Sequence, residues 1–263
     1  MNGWMINIAV AVIALLAATG VFFFVATRGT LLVRGLSSAQ NSAKSHVYPL
    51  YSDMRLIKLV DFQPIISAIL LFQYHRLVSK IVDDMKRANL TGKRVLITSC
   101  AFGNVIPRVV EAAIEGGADR VLIADIIQNE LVHAKTKLTQ YANKVEYIED
   151  NATALKQPDG VAAANIMFFL LHELPHELKG RALAEAGRMI EPGGVLYLAE
   201  FHRPELWVLR ALSWTYFKVF EPFGLALWDK HDPLKWLENA GGWDCERSTY
   251  LFGNFQVITA RKR

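Results

Sequence analysis

Only two cysteines, Cys100 and Cys245, occur in the chain, too few for a disulfide-stapled scaffold, so both read as free thiols. No serine-hydrolase elbow, zinc-ligand cluster or Walker loop is present, which removes the common hydrolase, zinc-module and NTPase classes. Basic residues are scattered rather than grouped with aromatics, so the pattern of a nucleic-acid binder is missing too. The chain shows no internal repeat and no low-complexity tract. Its net charge of +4 is small; it suits an anionic membrane surface without requiring one. The scarcity with the most consequence is local, of glycine in one loop. The stretch VLITSCAFGN, Val95 to Asn104, stands where a nucleotide-binding sheet turns from its first strand into its first helix, yet Gly103 is its only glycine. A loop that cradles phosphate wants several, so that the backbone can approach the anion.

Charge is absent from Trp4 to Ala26, a run of 23 residues. About 20 apolar residues span a bilayer as a helix. The run is longer than the apolar part of a signal peptide and no Lys or Arg precedes it, so it is expected to be a membrane anchor. Arg28, Arg34 and Lys44 follow it, and no acid appears before Asp53. By the positive-inside rule the chain is expected to be a single-pass protein of the inner (cytoplasmic) membrane, with its main domain facing the cytoplasm. Residues 1–34 then form the anchor, 35–90 a polar linker and a helical segment, and 91–263 the main domain. The apolar positions after Pro64 recur at helical spacing but are too few to span, which predicts a helix packed on the domain or lying at the membrane interface, the former favoured.

From Lys93 onward strands and helices alternate: RVLITS, RVLIADI, VEYIED, VAAANIMFFLL and GGVLYLAEF read as strands with helices between most of them. Such alternation predicts an α/β, Rossmann-like, doubly wound and mostly parallel sheet. The closing segment around Gly253 and Asn254 predicts an antiparallel hairpin where a helix would otherwise stand. Five β-α steps followed by a hairpin are the pattern of class I S-adenosylmethionine-dependent methyltransferases.

Candidate site residues follow from the carboxyl ends of these strands, where open α/β sheets bind ligands. The turn Ser99-Cys100-Ala101-Phe102-Gly103 is the cofactor-loop position. Asp125 ends the second strand 22 residues after Gly103, a spacing that favours an acceptor for ribose hydroxyls over the alternative, a cap on the next helix. Asp150 and Asn151 after the third strand can read an adenine edge or simply shape a turn. His172 and Glu173 leave the fourth strand as candidates for acid–base work or for holding a divalent cation; Glu200 and His202 leave the fifth at the same edge, with Arg203 beside them. The IEPGG segment reads as a turn into the fifth strand. The aromatic-rich insertion from Trp207 to Trp228 reads as core or as an apolar lid over a ring-shaped, lipid-soluble substrate.

VLITSCAFGNVIPR, FFLLHELPHELKGRALAEAGRMIEPGG, AEFHRP and the closing FGNFQ together resemble the rhodoquinone-biosynthesis RquA family, a divergent branch of the class I methyltransferases, over about residues 90–263. That family has a similarly glycine-poor loop. The resemblance implies that an isoprenoid quinone is the substrate, that a methoxy group on the ubiquinone ring is exchanged for an amino group with S-adenosylmethionine as donor, and that a manganese ion assists. It also implies that Cys100, Gly103 and Asp125 belong to the cofactor site while His172, Glu173 and His202 face the ring. Asn104 stands where an acid is expected in that family, so conventional methylation of a quinone or another lipid-soluble acceptor remains the alternative reading, and a non-catalytic membrane-tethered scaffold a further one.

Overall fold

The computed structural model describes residues 54–219 and 221–263, together with Val10. Apart from Val10, the expected membrane helix and the whole of the expected linker lie outside the described residues. Three helices open the described part: α1 (Met54–Asp61), α2 (Gln63–Ile69) and α3 (Tyr74–Arg87). Pro64 sits in the first turn of α2, where its missing N–H costs nothing. Leu71 and Phe72 adopt left-handed backbone (φ 48° and 60°), and the chain turns by 101° into α3. Along α3, Tyr74, Leu77, Val78, Ile81, Val82 and Met85 recur at three- and four-residue spacing and are all buried, the stripe by which a helix docks on a core. The helix packs chiefly against α4, so the docked alternative for this segment is the one observed. No single helix among the described residues is long and apolar enough to cross a membrane.

The sheet follows: β1 (Arg94–Thr98), α4 (Val105–Glu115), β2 (Arg120–Asp125), α5 (Gln128–Lys137), β3 (Val145–Glu149), β4 (Ala162–Phe168), α6 (His176–Arg188), β5 (Ile190–Phe201), α7 (Trp207–Val219), α8 (Pro233–Ala240), β6 (Trp243–Tyr250) and β7 (Phe255–Lys262). The seven strands lie in the order β3-β2-β1-β4-β5-β7-β6. The first five pair in parallel, while β7 is inserted antiparallel between β5 and β6. This is the class I methyltransferase topology, closing on the expected hairpin. One local expectation is corrected: Ile190–Gly194 is not a free turn but the irregular start of β5, where the register against β4 shifts between Ala162 and Ala164.

Both faces of the sheet are covered, which is why its central strands read as continuous apolar runs rather than alternating ones. On one face Val95, Ile97, Val121, Ile123, Tyr197 and Val257 pack under α3, α4 and α5. On the other, Leu196, Leu198 and Ile258 pack under α6 and α8. Because α3 is part of the first of these layers, a chain starting at residue 91 exposes that face and is expected to lose cooperative unfolding in urea. In the full chain, Leu77→Ala removes a fully buried side chain and is expected to lower unfolding free energy by about 2–5 kcal/mol.

Candidate functional site

β1 and β4 are neighbours in the sheet, yet β1 leads outward to β2 on one side and β4 to β5 on the other. Such a reversal opens a crevice at the carboxyl ends of the two strands. Two non-glycine residues stand there in left-handed backbone, Ser99 after β1 (φ 74°) and Phe169 after β4 (φ 56°). Each is pinned by donating its N–H to the adjoining strand, Ser99 to Ala124 O at 2.8 Å and Phe169 to Ala199 O at 2.9 Å. Backbone strain of about 1–3 kcal/mol at such positions persists where surrounding structure over-determines it, and it clusters at ligand sites.

The loop after Ser99 is filled by the protein itself. Gly103 N donates to Asp61 Oδ1 at 2.8 Å, Asn104 N to Gln63 Oε1 at 3.1 Å, and Val105 N to the Tyr74 hydroxyl at 2.7 Å. The same hydroxyl donates to Phe102 O at 3.0 Å. These amides open α4, the place where a helix dipole and unpaired N–H groups would otherwise attract a phosphate. Asp61 is itself held: Lys137 Nζ donates to its Oδ1 and to Gly103 O, both at 2.7 Å, and His133 Nε2 lies 3.0 Å from its Oδ2. Gly103 is needed for two reasons, its φ of +80° and a Tyr74 hydroxyl only 2.5 Å from where a Cβ would stand. None of Asp61, Gln63, Tyr74, His133 or Lys137 was legible as a site residue.

Asp125 ends β2, almost fully buried, with Oδ2 accepting from the Ser99 hydroxyl at 3.2 Å and from Cys100 N, and Oδ1 accepting from Ile127 N at 2.7 Å. Burial pushes its carboxyl above the ordinary range, and those donors oppose the rise. Cys100 is pushed well up, first by burial and then by the carboxylates of Asp125 and Glu130, so its thiol stays protonated. Ala101 and Phe102 beside it are half-buried. Asp150 and Asn151 act as turn organisers: Asp150 accepts from Asn151 N and Lys156 N at 2.9 and 2.7 Å, and Asn151 Oδ1 accepts from the backbone and hydroxyl of Thr153.

Across the crevice, His172 Nδ1 lies 3.1 and 3.4 Å from the two oxygens of Glu200, a residue with no solvent exposure at the end of β5. Glu200 also accepts from the backbone of His172 and Phe201. Burial pulls the His172 imidazole down, but Glu200 beside it, helped by Glu221 and Glu173, outweighs this and carries it up to about 9. The imidazole is therefore a cation at neutral pH. Phe169 and Phe201 meet its ring edge-on, with centroids 6.0 and 5.0 Å away. The turn bearing His172 and Glu173 is clamped from beneath by Lys179, 1 % exposed, whose Nζ donates to Leu171 O and, at 2.8 Å, to Leu174 O.

His202 is not brought to His172. Its Nδ1 is 2.7 Å from Gly253 O and its Nε2 3.2 Å from Arg247 Nη1, and Arg247 pairs in turn with Asp232. Both ring nitrogens are engaged, and burial lowers the imidazole, so His202 is a neutral brace between β5 and the hairpin. The insertion after β5 forms α7, whose Phe217 is buried while Trp207 and Trp214 are exposed. They help line a groove of about 490 Å³ with Arg203, Arg210, Leu225 and Trp228. Among the described residues, no three His, Cys, Asp or Glu side chains gather so as to hold a metal ion. With His172 committed to Glu200 and His202 to Gly253 and Arg247, the donors do not fit the manganese that the resemblance implied.

Two measurements check this geometry. Tyr74→Phe leaves Val105 N without its acceptor and is expected to cost about 1–3 kcal/mol in chemical denaturation; Gly103→Ala, strained and clashing, is expected to cost more. By NMR titration, His172 is expected to ionise near 9 and, in Glu200→Gln, to fall substantially, because burial then acts with the opposing carboxylate gone. The associated stabilisation is fully present below the ordinary histidine value of 6.5 and is lost as pH rises through about 9.

A model of the ubiE/COQ5 methyltransferase family matches residues 59–243. The ubiquinone/menaquinone biosynthesis C-methyltransferase UbiE of Shewanella baltica is 27% identical over 176 residues, 66% of this chain and 68% of that protein. The demethylmenaquinone methyltransferase of Bacillus licheniformis is 29% identical over 150 residues, 57% of this chain and 62% of that one. A solved S-adenosylmethionine-dependent methyltransferase from Aquifex aeolicus, 19% identical, superposes with a TM-score of 0.53 over 80% of this chain and 99% of its own, and so bears on the fold. With this topology and a family match across most of its length, the chain belongs to the ubiE/COQ5 methyltransferase family and is an S-adenosylmethionine-dependent methyltransferase related to quinone-biosynthesis enzymes.

Proposed function

We propose that the chain is a membrane-associated enzyme that uses S-adenosylmethionine to modify the ring of an isoprenoid quinone. The observation that carries this reading is the His172–Glu200 pair: an imidazolium held in an aromatic setting at the carboxyl end of β4, across the crevice from the cofactor loop. Nucleophilic attack on a quinone ring builds negative charge on a ring oxygen, and a reduced ring attacks the donor methyl from its oxyanion form; a preorganised cation in a water-poor site stabilises that charge in either case. Nδ1 is taken by Glu200, which leaves Nε2 to face the oxygen. In this reading Asp125 holds the cofactor ribose, Glu173 manages the ring proton, and His202 keeps the hairpin in register behind them. The relatives' names point to the same class of acceptor.

The finer reading is exchange of a ring methoxy group for an amino group, converting ubiquinone to rhodoquinone. The donor nitrogen adds to the ring carbon, and the methoxy group leaves with the amine proton as methanol. The donor's Cα–N bond then breaks by tautomerisation to an imine, with the quinone taking up the two electrons, and hydrolysis. This reading is supported by the resemblance of the glycine-poor loop and by the filling of that loop with Asp61, Gln63 and Tyr74. No step is routed through manganese. The second reading is C-methylation: the ring carbon takes the methyl group, the C–S electron pair returns to sulfur, and the ring proton leaves. The relatives' printed activities favour it.

Placement at the inner membrane, single-pass with the domain facing the cytoplasm, is supported by the uncharged run Trp4–Ala26 and the arginines after it. Trp207 and Trp214 are exposed on α7, the helix that follows β5, and Trp favours the membrane–water interface.

The test is mass spectrometry of the quinone pool from a host that makes ubiquinone but no rhodoquinone, with and without this chain. Amino in place of methoxy is the expected result; a ring that gains a methyl group would favour the second reading. An unchanged pool, together with no thermal stabilisation of the purified protein by S-adenosylmethionine, would contradict both and favour a scaffold.

A further inference from the structure

Four carboxyl side chains from four segments surround the cofactor loop: Asp61 of α1, Asp125 of β2, Glu130 of α5 and Glu173 in the β4–α6 turn. Asp61 and Asp125 are satisfied by the amides, hydroxyl and ammonium described above. Glu130 is different. It is 4 % exposed, and its Oε1 is buried with no hydrogen-bond partner. An acid in the first turn of a helix is favoured by the dipole, but that advantage is equally available at the surface and does not account for burial. A buried carboxyl oxygen with no partner in the chain is a place where a ligand can supply one.

The surroundings say what kind of partner. The charged and titratable groups that bear on Glu130 are Asp125, Glu173 and Asp61, all acidic, and Lys137; the Cys100 thiol beside them is neutral. Lys137 is already committed to Asp61 and Gly103 O. The local field is therefore negative and suits a cation. Because no three metal-binding side chains gather among the described residues, an organic cation fits better than a metal ion. S-adenosylmethionine carries a permanent positive charge on its sulfonium, and its demethylated product carries a neutral thioether at the same atom.

We propose that Glu130 recognises the positive charge of the donor and makes the site prefer the sulfonium form over the neutral thioether form. This rests on the cofactor-binding reading of the loop and extends it from shape to charge. Burial, reinforced by Asp125, carries the free carboxyl up to about 8, so an arriving cation is met by a group that ionises in response. Binding of the sulfonium form then tightens as pH rises through that value, while binding of the thioether form is nearly flat.

The experiment is isothermal titration of the full chain and of Glu130→Gln with S-adenosylmethionine and with S-adenosylhomocysteine, at pH 7 and pH 9. The two ligands share an amino group that titrates nearby, and comparing variant with wild type cancels it. The expected result is a loss of about tenfold in affinity for the sulfonium ligand in the variant, the equivalent of one pKa unit of interaction, with the thioether ligand changed less than about twofold and the pH-dependent gain for the sulfonium ligand abolished. Equal losses on both ligands, or no loss on either, would overturn the proposal, the first by making Glu130 a packing residue. If wild-type protein binds neither ligand, the cofactor reading fails instead. Should Glu130→Gln not fold, Glu130→Leu, which fills the same space without charge, is expected to show the same selective loss.

Discussion

One carboxylate organises the ligand edge of this protein. Asp61 meets the Gly103 amide, the Lys137 ammonium and the His133 ring at distances of 2.7–3.0 Å. Through these contacts it joins the N-terminal helices to the first loop and to α5. A helix N-terminus attracts an anion, and here the chain supplies its own. With Gln63 and Tyr74 taking the next two amides, Gly103, Asn104 and Val105 offer no free backbone donor to a phosphate. The scarcity of glycine follows: close backbone approach by a ligand is not required, Ser99 adopts the left-handed turn with the help of Asp125, and Gly103 alone is compelled, by the Tyr74 hydroxyl. A cofactor without phosphate, as the methyltransferase family uses, is compatible with such a loop.

The opposite wall of the crevice is governed by another buried acid. Glu200 keeps His172 charged in surroundings that would otherwise neutralise it, and Lys179 fixes the carbonyls of the turn that presents it. Burial alone lowers Lys179 to about 8 despite Glu200, Glu221 and Glu173 nearby. The crevice thus sets a cationic imidazole on the β4 side against acidic groups on the β2 and α5 side. In the proposed reading, a positively charged donor and a ring oxyanion are each matched by the wall they would face.

The parallel sheet, its closing hairpin and the position of the ligand edge were legible because they follow from apolar runs, helical stripes and turn residues that act locally. That Asp125 stands beside the loop was legible from its distance along the chain; its bonds to Ser99, Cys100 and Ile127 were not. What was not legible depends on partners far apart in sequence. Asp61 and Gln63 act on amides about 40 residues away, and Tyr74 sits in an apolar stripe indistinguishable from packing. His202 looks like His172 in sequence, each emerging from the end of a strand, but Arg247 and Gly253 occupy one and Glu200 the other. Asp150 and Asn151 could as well have read a ligand as shaped a turn, and it is local hydrogen bonds to Lys156 and Thr153 that they make. Glu130 carries no signal in the sequence; the packing of α5 is what shows that it is buried.

The most direct test of this account is amide hydrogen exchange at Gly103, Asn104 and Val105 in the full chain without cofactor. If Asp61, Gln63 and Tyr74 fill the loop, all three amides are already protected before any ligand is added, and S-adenosylmethionine adds little at these positions. Free exchange in the absence of cofactor, with protection appearing only when it binds, would show that the loop awaits its ligand with open amides and would contradict the account.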